Sequence, residues 1–345
     1  MKKHYIIPIS IMNTKEKANI EKQVSNEVTK EEMIKTVETY LKQLKGKEVI
    51  KQLLFQGGAF TTLPEQKQEQ LLEQAKVLLE EGKIDEIKIT TTTKGLGKQE
   101  LKRLKKAKVS KIELTVPSSN DYLLEKAGIE ESFGQIKKIA KQIRWYRFWL
   151  GFQFMVGLPE STKIDELNTA KELLKLKPNE MRITPVVISQ KEEIKEKQQE
   201  RNFEPLSLVQ AVERCKELVY LCNRKKISLL HIDETKKQKE EKVKGPVHPD
   251  FPALVESSIW YDSIVDQIKQ YNTKVREVEI TVNPQDINHV IGYEQENIKK
   301  LEETYDVLLK VVMDSKVKQG KSEMKIVKTY ADLIEEKQKQ EKITK

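Results

Sequence analysis

Two hydrophobic periods take turns along this chain. Ile6 to Ile11 and Val49 to Phe55 are apolar runs of strand length. Between them Met33, Val37, Tyr40, Leu41 and Leu44 recur at helical spacing, which predicts a helix over Lys30 to Leu44. A second helix opens at Pro64, where proline is tolerated, and runs to about Glu81. Ile84 to Thr90 reads as a strand, Lys98 to Ala107 as a short basic helix, and Val109 to Val116 as a strand closed by Pro117. Helices follow around Tyr122 to Lys126 and from Phe133 to Ile143, then a strongly apolar strand from Phe148 to Val156. A helix over Ile164 to Leu176, a strand over Glu180 to Val187, a long helix over Leu206 to Lys225 and a strand over Ile227 to Ile232 complete the series. Six or seven strands alternating with helices predict an α/β fold whose parallel sheet is curved or closed into a partial barrel. Such barrels place their chemistry at the C-terminal ends of the strands.

Two charge-dense stretches, Gln190 to Glu200 and Thr235 to Lys244, lack apolar periodicity and read as exposed loops or frayed helix ends. Beyond Tyr271 the pattern changes: a strand over Val275 to Val282, a compact helical unit from Pro284 to about Tyr305, a strand over Val307 to Met313 and a charged terminal helix. The expected organisation is a barrel over 1–235, a post-barrel extension over 236–273, a small α+β domain over 274–335 and a charged tail over 336–345.

Charge adds a partner class. Lys and Arg number 63 against 54 Asp and Glu, a net charge of +9 at pH 7. That balance favours anionic partners such as RNA, although lysine outweighs the arginine that suits bidentate phosphate recognition. No apolar run reaches membrane-spanning length, and the N-terminus lacks a small-residue cleavage site. The expectation is a cytoplasmic protein without a membrane partner. Cys215 and Cys222 are the two cysteines. Seven residues apart on a predicted helix, they lie on the order of 10 Å apart, too far for a disulfide and too few to close a metal site; both read as small buried residues. His4, His231 and His289 do not fall near one another or near carboxylates at metal-ligand spacing, so no metal site is expected.

Five collinear motifs carry a family resemblance. They are Leu54-Phe55-Gln56-Gly57-Gly58-Ala59-Phe60-Thr61-Thr62-Leu63-Pro64, Val109 to Ser118 (VSKIELTVPS), Gly151 to Pro159 (GFQFMVGLP), Leu176 to Pro185 (LKPNEMRITP), and Gly245 to Phe251 (GPVHPDF) with Leu254-Val255-Glu256-Ser257. Together they make the chain over roughly residues 4–262 similar to radical SAM proteins, in the branch that holds the catalytic subunit of Elongator and bacterial coproporphyrinogen-oxidase-like relatives. The resemblance implies a partial (β/α)6-type barrel. It also implies a 4Fe–4S cluster held by three cysteines in the loop after the first strand, with S-adenosylmethionine on the fourth iron.

That loop here reads Met12-Asn13-Thr14-Lys15-Glu16-Lys17-Ala18-Asn19, with no cysteine. Thiolates are the soft anionic ligands such a cluster needs, and amines, amides and hydroxyls do not replace them. Other positions depart from the family as well: Ala59 for a polar residue, Thr91-Thr92-Thr93-Lys94-Gly95 without an arginine, Pro117 for a glutamine, Glu160 for a glycine, and His231 for an arginine. The resemblance therefore implies a barrel that has kept its scaffold and lost its radical chemistry, with neither S-adenosylmethionine nor a cluster expected. A vestigial S-adenosylmethionine pocket maps to Gly57, Gly58, Ala59, Glu113, Gly157 and Arg182. By strand position Glu113 and Arg182 face the barrel interior as a buried ion pair.

Val278 to Val282 with Val290-Ile291-Gly292-Tyr293-Glu294-Gln295-Glu296-Asn297-Ile298 resembles a KH module, whose GxxG loop between helices clamps a nucleic-acid backbone. Gln295 stands at the second glycine, and Glu294 and Glu296 oppose a phosphate track. Further nucleic-acid candidates are Lys102, Arg103, Lys105 and Lys106 on the basic helix, Arg144, Trp145 and Arg147 in the segment IRWYRFW, and Gly292. The plainer readings are a solvated barrel helix and a helix end where Trp145 or Trp149 packs while the arginines snorkel. His248 reads as a hydrogen-bonding residue of a structural loop or, alternatively, as a residue lining the old pocket. Three functional expectations follow: a degenerate radical-SAM-fold protein that binds RNA (tRNA or rRNA), a protein-interaction or regulatory subunit of an active paralogue, or a radical SAM enzyme that holds its cluster without cysteines.

Overall fold

The computed structural model describes residues 3–11, 28–44, 46, 48–189, 203–227, 229–233 and 243–343. The cysteine-free loop and the two charge-dense stretches expected to be exposed fall largely outside the described residues. The chain divides into two compact units, residues 1–186 with 218–231, and residues 187–217 with 232–345.

The first unit is the barrel. Its strands are β1 (Lys3–Ser10), β2 (Val49–Gln56), β3 (Glu86–Thr91), β4 (Lys111–Thr115), β5 (Trp149–Val156), β6 (Glu180–Pro185) and β8 (Leu229–Ile232), hydrogen-bonded in the order β1-β2-β3-β4-β5-β6-β8. The pairs run parallel, with Lys3 opposite Val49, Gln52 opposite Glu86, Lys88 opposite Lys111, Lys111 opposite Trp149 and Gly151 opposite Glu180. Helices α1 (Lys30–Gln43), α2 (Glu65–Glu80), α3 (Lys98–Lys106), α4 (Asp121–Lys126), α5 (Phe133–Trp145) and α6 (Lys163–Lys175) alternate with the strands, and α7 (Leu208–Arg224) precedes β8, its residues up to Glu217 counting with the second unit. Capping boxes start three of them: Thr29 with Glu32, Ser132 with Gln135, and Thr162 with Asp165.

One strand face is apolar and fully buried, with Leu53, Phe55, Ile87, Ile89, Ile112, Leu114, Leu150, Phe152, Phe154, Met181 and Ile183. The opposite face is polar. Its closure shows in contacts between strands that are not neighbours: Lys111 on β4 reaches within 3.5 Å of His4 on β1, and Lys88 on β3 meets Glu180 on β6 at 2.6 Å. Neighbouring strands lie about 4.8 Å apart, so a flat sheet would hold each of these pairs near 14 Å. The sheet is a parallel half-barrel whose polar side chains converge inside.

The second unit is built on a three-stranded sheet in the order β11-β10-β12, from β10 (Val275–Val282), β11 (Leu308–Met313) and β12 (Ser322–Thr329). β10 pairs parallel with β11 and antiparallel with β12. Helices α8 (Phe251–Lys269), α9 (Ile287–Ile291) and α10 (Glu296–Tyr305) contribute Trp260, Ile264, Val290 and Leu301 to its core, beside Val278 and Ile280 of the sheet. The terminal helix α11 spans Tyr330–Ile343, and a two-residue ladder joins β7 (Ile188–Ser189) to β9 (Val243–Lys244).

Three elements correct the sequence reading. The third strand, β12, is missing from it, because Ser322-Glu323-Met324-Lys325-Ile326-Val327-Lys328-Thr329 is rich in charged and polar residues and exposes Glu323, Lys325 and Val327; Met324 and Ile326 pack against the core. α8 fills what the pattern left as an extension without elements, because Phe251, Val255, Trp260 and Ile264 form its buried stripe. α5 continues past Ile143 through Trp145, which puts Arg144 and Trp145 on helix rather than in a connection.

Candidate functional site

The barrel interior is layered in charge. Near the N-terminal ends of the strands, Glu86 accepts hydrogen bonds from Lys111 Nζ at 2.7 Å and Gln52 Nε2 at 2.9 Å, with His4 Nδ1 3.3 Å away. The Lys111 ammonium lies 4.8 Å from the Trp149 ring centre. Burial pushes the Glu86 carboxyl up, but the Lys111 and Gln52 hydrogen bonds outweigh it and hold the group below the ordinary carboxylate range.

One step further in, Lys88 Nζ donates to Glu113 Oε2 and to Glu180 Oε1, both at 2.6 Å. Thr90 Oγ1 donates to the other oxygen of Glu113 at 3.0 Å, and Arg182 Nε lies 3.3 Å from it. His231 Nε2 stands 3.5 Å from Glu180. The side chains of Lys88 and Glu113 are wholly excluded from water. Two carboxylates face one ammonium and one guanidinium, so the buried charges balance, as buried charges must. Burial works against the Glu113 carboxylate, yet the Lys88 and Arg182 charges hold its pKa below normal. Burial lowers the pKa of His231, and the Glu180 carboxylate opposes this only in part. Above this layer Gln153 Nε2 donates to Thr184 Oγ1 at 3.0 Å, and Thr115 Oγ1 to Gln153 Oε1 at 3.3 Å.

The structure places the expected pocket residues in two groups. Glu113 and Arg182 are inside and adjacent. Gly57, Gly58 and Ala59 follow β2, and Gly157 follows β5. Gly57 has φ +90°, and a Cβ there would stand 3.0 Å from Ser10 Oγ, so the turn requires glycine. Ala59 accepts from Thr62 through its carbonyl at 3.0 Å. The Gly157 amide donates to Glu166 Oε1 at 2.7 Å. Asn13 to Asn26, the segment that decides whether the mouth beside Gly57 is open or plugged, lies outside the described residues. Lys88 and Glu180 belong to the same layer and are absent from the sequence-based set. For Lys88 the strand alternation Glu86, Lys88, Thr90 against Ile87, Ile89 marks a polar phase without saying that it faces inward.

The donor set does not fit an iron–sulfur cluster. The segment after β1 offers no thiol, and the two cysteines of the chain, Cys215 and Cys222, are both buried on α7. Burial pushes the Cys222 thiol up to about 12, so it is protonated at neutral pH, whereas the thiolate is the ligand. Among the described residues no group of three or more His, Cys, Asp or Glu is placed to hold a metal ion.

The basic candidates fall on the outside. Lys105 Nζ donates to the Arg147 carbonyl at 3.0 Å and sits 4.6 Å from the Phe148 ring centre. The end of α3, with Lys102 and Lys106 exposed, thus meets the end of α5. Arg144 Nη1 donates to the carbonyls of Leu176, at 3.2 Å, and Lys177, and Arg103 is held by Glu100, at 2.7 and 2.8 Å, and by Gln68. Trp149 packs under Lys111, whereas Trp145 is 76% exposed. In the second unit Gly292 has φ +81° and opens the turn between α9 and α10, followed by left-handed Glu294 and Gln295. Buried Asn297 braces that turn, its Nδ2 within 2.9–3.1 Å of the Ser257, His289 and Val290 carbonyls. His248 Nδ1 accepts from the Asp250 amide at 3.1 Å, a loop-internal bond.

Residues 18–173 match the family model described as Radical SAM superfamily. No curated protein matches the chain. Among solved structures it is similar to Elp3 of the archaeon Methanocaldococcus infernus with an N-terminal deletion (1–46), with a TM-score of 0.58 and 16% identity, over 77% of this chain and 64% of that one. The chain thus spans less than two thirds of that protein. Fainter likenesses are to coproporphyrinogen III oxidase (HemN) from Escherichia coli, a radical SAM enzyme (TM-score 0.36, 18% identity, 53% of this chain and 44% of that one). Another is to Streptococcus suis SuiB bound to S-adenosylmethionine (TM-score 0.43, 13% identity, 62% and 45%).

Proposed function

Because residues 18–173 match the Radical SAM superfamily model, we propose that the chain is a catalytically degenerate form of that fold, cytoplasmic, which binds RNA through an outer basic surface. Its scaffold is kept while the sulfur donors of the cluster are missing, and its interior charges neutralise one another through Lys88, Glu113, Glu180 and Arg182. The observation that carries RNA binding is the Lys105–Arg147 contact, which brings two separate basic segments together beside an exposed tryptophan. A net charge of +9 acts in the same direction. An electrophoretic shift with total tRNA at low salt, lost as salt rises, is the expected result; no shift at low salt overturns the reading.

A second reading, a regulatory subunit that partners an active paralogue, draws on the C-terminal unit. There a cavity of about 410 Å³ is lined by Leu208, Val212, Leu254, Tyr261 and Tyr293, and Val209 and Tyr293 at its edge are 72% and 51% exposed. Stable co-purification with such a paralogue, insensitive to nuclease, favours this reading over the first.

A further inference from the structure

Successive helix-to-strand turns of the barrel share one backbone device. The residue just past each helix end takes a left-handed conformation, which favours glycine. Before β2 and β3 it is a glycine, Gly46 (φ +78°) and Gly82 (φ +69°). Before β4, β5, β6 and β8 it is a cation: Lys108 (φ +65°), Arg147 (φ +59°), Lys177 (φ +53°) and Lys226 (φ +54°). These four strands are consecutive neighbours in the sheet, so the four cations follow one another along the rim at the N-terminal ends of the strands. All four are exposed, as is Trp145, two residues before Arg147. The turn before β3, by contrast, carries exposed Glu80, Glu81 and Asp85, so the basic arc has an end.

Attraction to the carbonyl end of each helix stabilises these cations singly. Together they form a row of positive groups with an exposed indole in it. Phosphates track a positive groove without regard to sequence, and bases stack on aromatic rings only when they are unpaired. Trp145 meets Tyr146 edge-on at 4.7 Å between ring centres.

We propose that this rim, the face opposite the barrel mouth, binds single-stranded RNA, with the backbone along Lys108, Arg147, Lys177 and Lys226 and an unpaired base on Trp145. The proposal rests on the RNA-binding reading above and narrows it to unpaired RNA at this surface.

The left-handed positions supply a gentle test. Lys→Gly there removes charge and relieves the backbone, so the triple variant Lys108→Gly/Lys177→Gly/Lys226→Gly retains the fold. Fluorescence anisotropy with a labelled short oligouridylate and an RNA duplex of equal length gives the readout across a salt series. The triple variant is expected to reduce the slope of log affinity against log salt by about 2 for the single strand. Trp145→Ala is expected to weaken the oligouridylate on the order of tenfold and leave the duplex unchanged. If the unmodified protein binds the oligouridylate and both variants bind it equally well, the rim proposal is overturned and the RNA reading stands. If the unmodified protein binds neither RNA at low salt, the RNA reading fails and the rim proposal with it.

Discussion

Lys88 Nζ lies 2.6 Å from Glu113 Oε2, with no part of either side chain exposed to water. The same ammonium reaches Glu180 at an equal distance, three strands away. Lys88 is therefore the centre of the barrel's internal charge balance. Removing it strands two buried carboxylates against one guanidinium. Lys88→Met is expected to destabilise the fold by about 3–5 kcal/mol, read as a lowered midpoint in urea unfolding. A loss below about 1 kcal/mol would show that water or protonation relieves the carboxylates.

Stability should fall with acid in two stages. His231 has a folded pKa below its unfolded value of 6.5, so the unfolded chain takes up the proton first. Its contribution is complete above pH 6.5 and is lost as pH falls through the folded value. Glu113 is depressed below 4.5; its contribution is complete above that pH and is lost as pH falls through its own lower folded value. His231→Gln is expected to abolish the first stage and keep the second, as followed by urea midpoints from neutral pH downward.

Gly95 and Gly82 separate steric from conformational demand. Both have positive φ, +79° and +69°, but a Cβ on Gly95 would stand 2.6 Å from the Thr61 carbonyl oxygen, whereas one on Gly82 meets nothing within 4 Å. Thr61 itself is fixed, donating to the Lys94 carbonyl at 2.5 Å with Thr91 Oγ1 at 2.6 Å. Gly82→Ala is expected to cost about 1 kcal/mol, and Gly95→Ala at least about 2 kcal/mol, because backbone must also move. Thermal melts of the two variants compare them directly.

Much of the barrel was legible because each helix and strand announces its own period. Glu113 and Arg182 were legible as an inward pair for the same reason: they occupy the polar phase of β4 and β6. Lys88 and Glu180 were not. In a strand such as Glu86-Ile87-Lys88-Ile89-Thr90 a lysine on the polar phase reads as solvent-facing, and only closure of the sheet turns that face inward. Arg147 was a candidate from the sequence, but its grouping with the other rim cations escaped for a different reason. Lys108, Arg147, Lys177 and Lys226 sit in unrelated local sequences, and their common left-handed backbone is a property of the helix ends, with no compositional mark like the glycines of the first two turns. The strand β12 was hidden by its charges, since a sheet covered on one side needs apolar residues only at alternate positions.

The missing cysteines decide whether this barrel can carry radical chemistry. Anaerobic reconstitution of the purified chain with iron and sulfide, followed by iron and sulfide analysis, measures this directly. The expected result is a colourless protein with no bound cluster after desalting. Four irons and four sulfides per chain, with reductive cleavage of added S-adenosylmethionine, would contradict it.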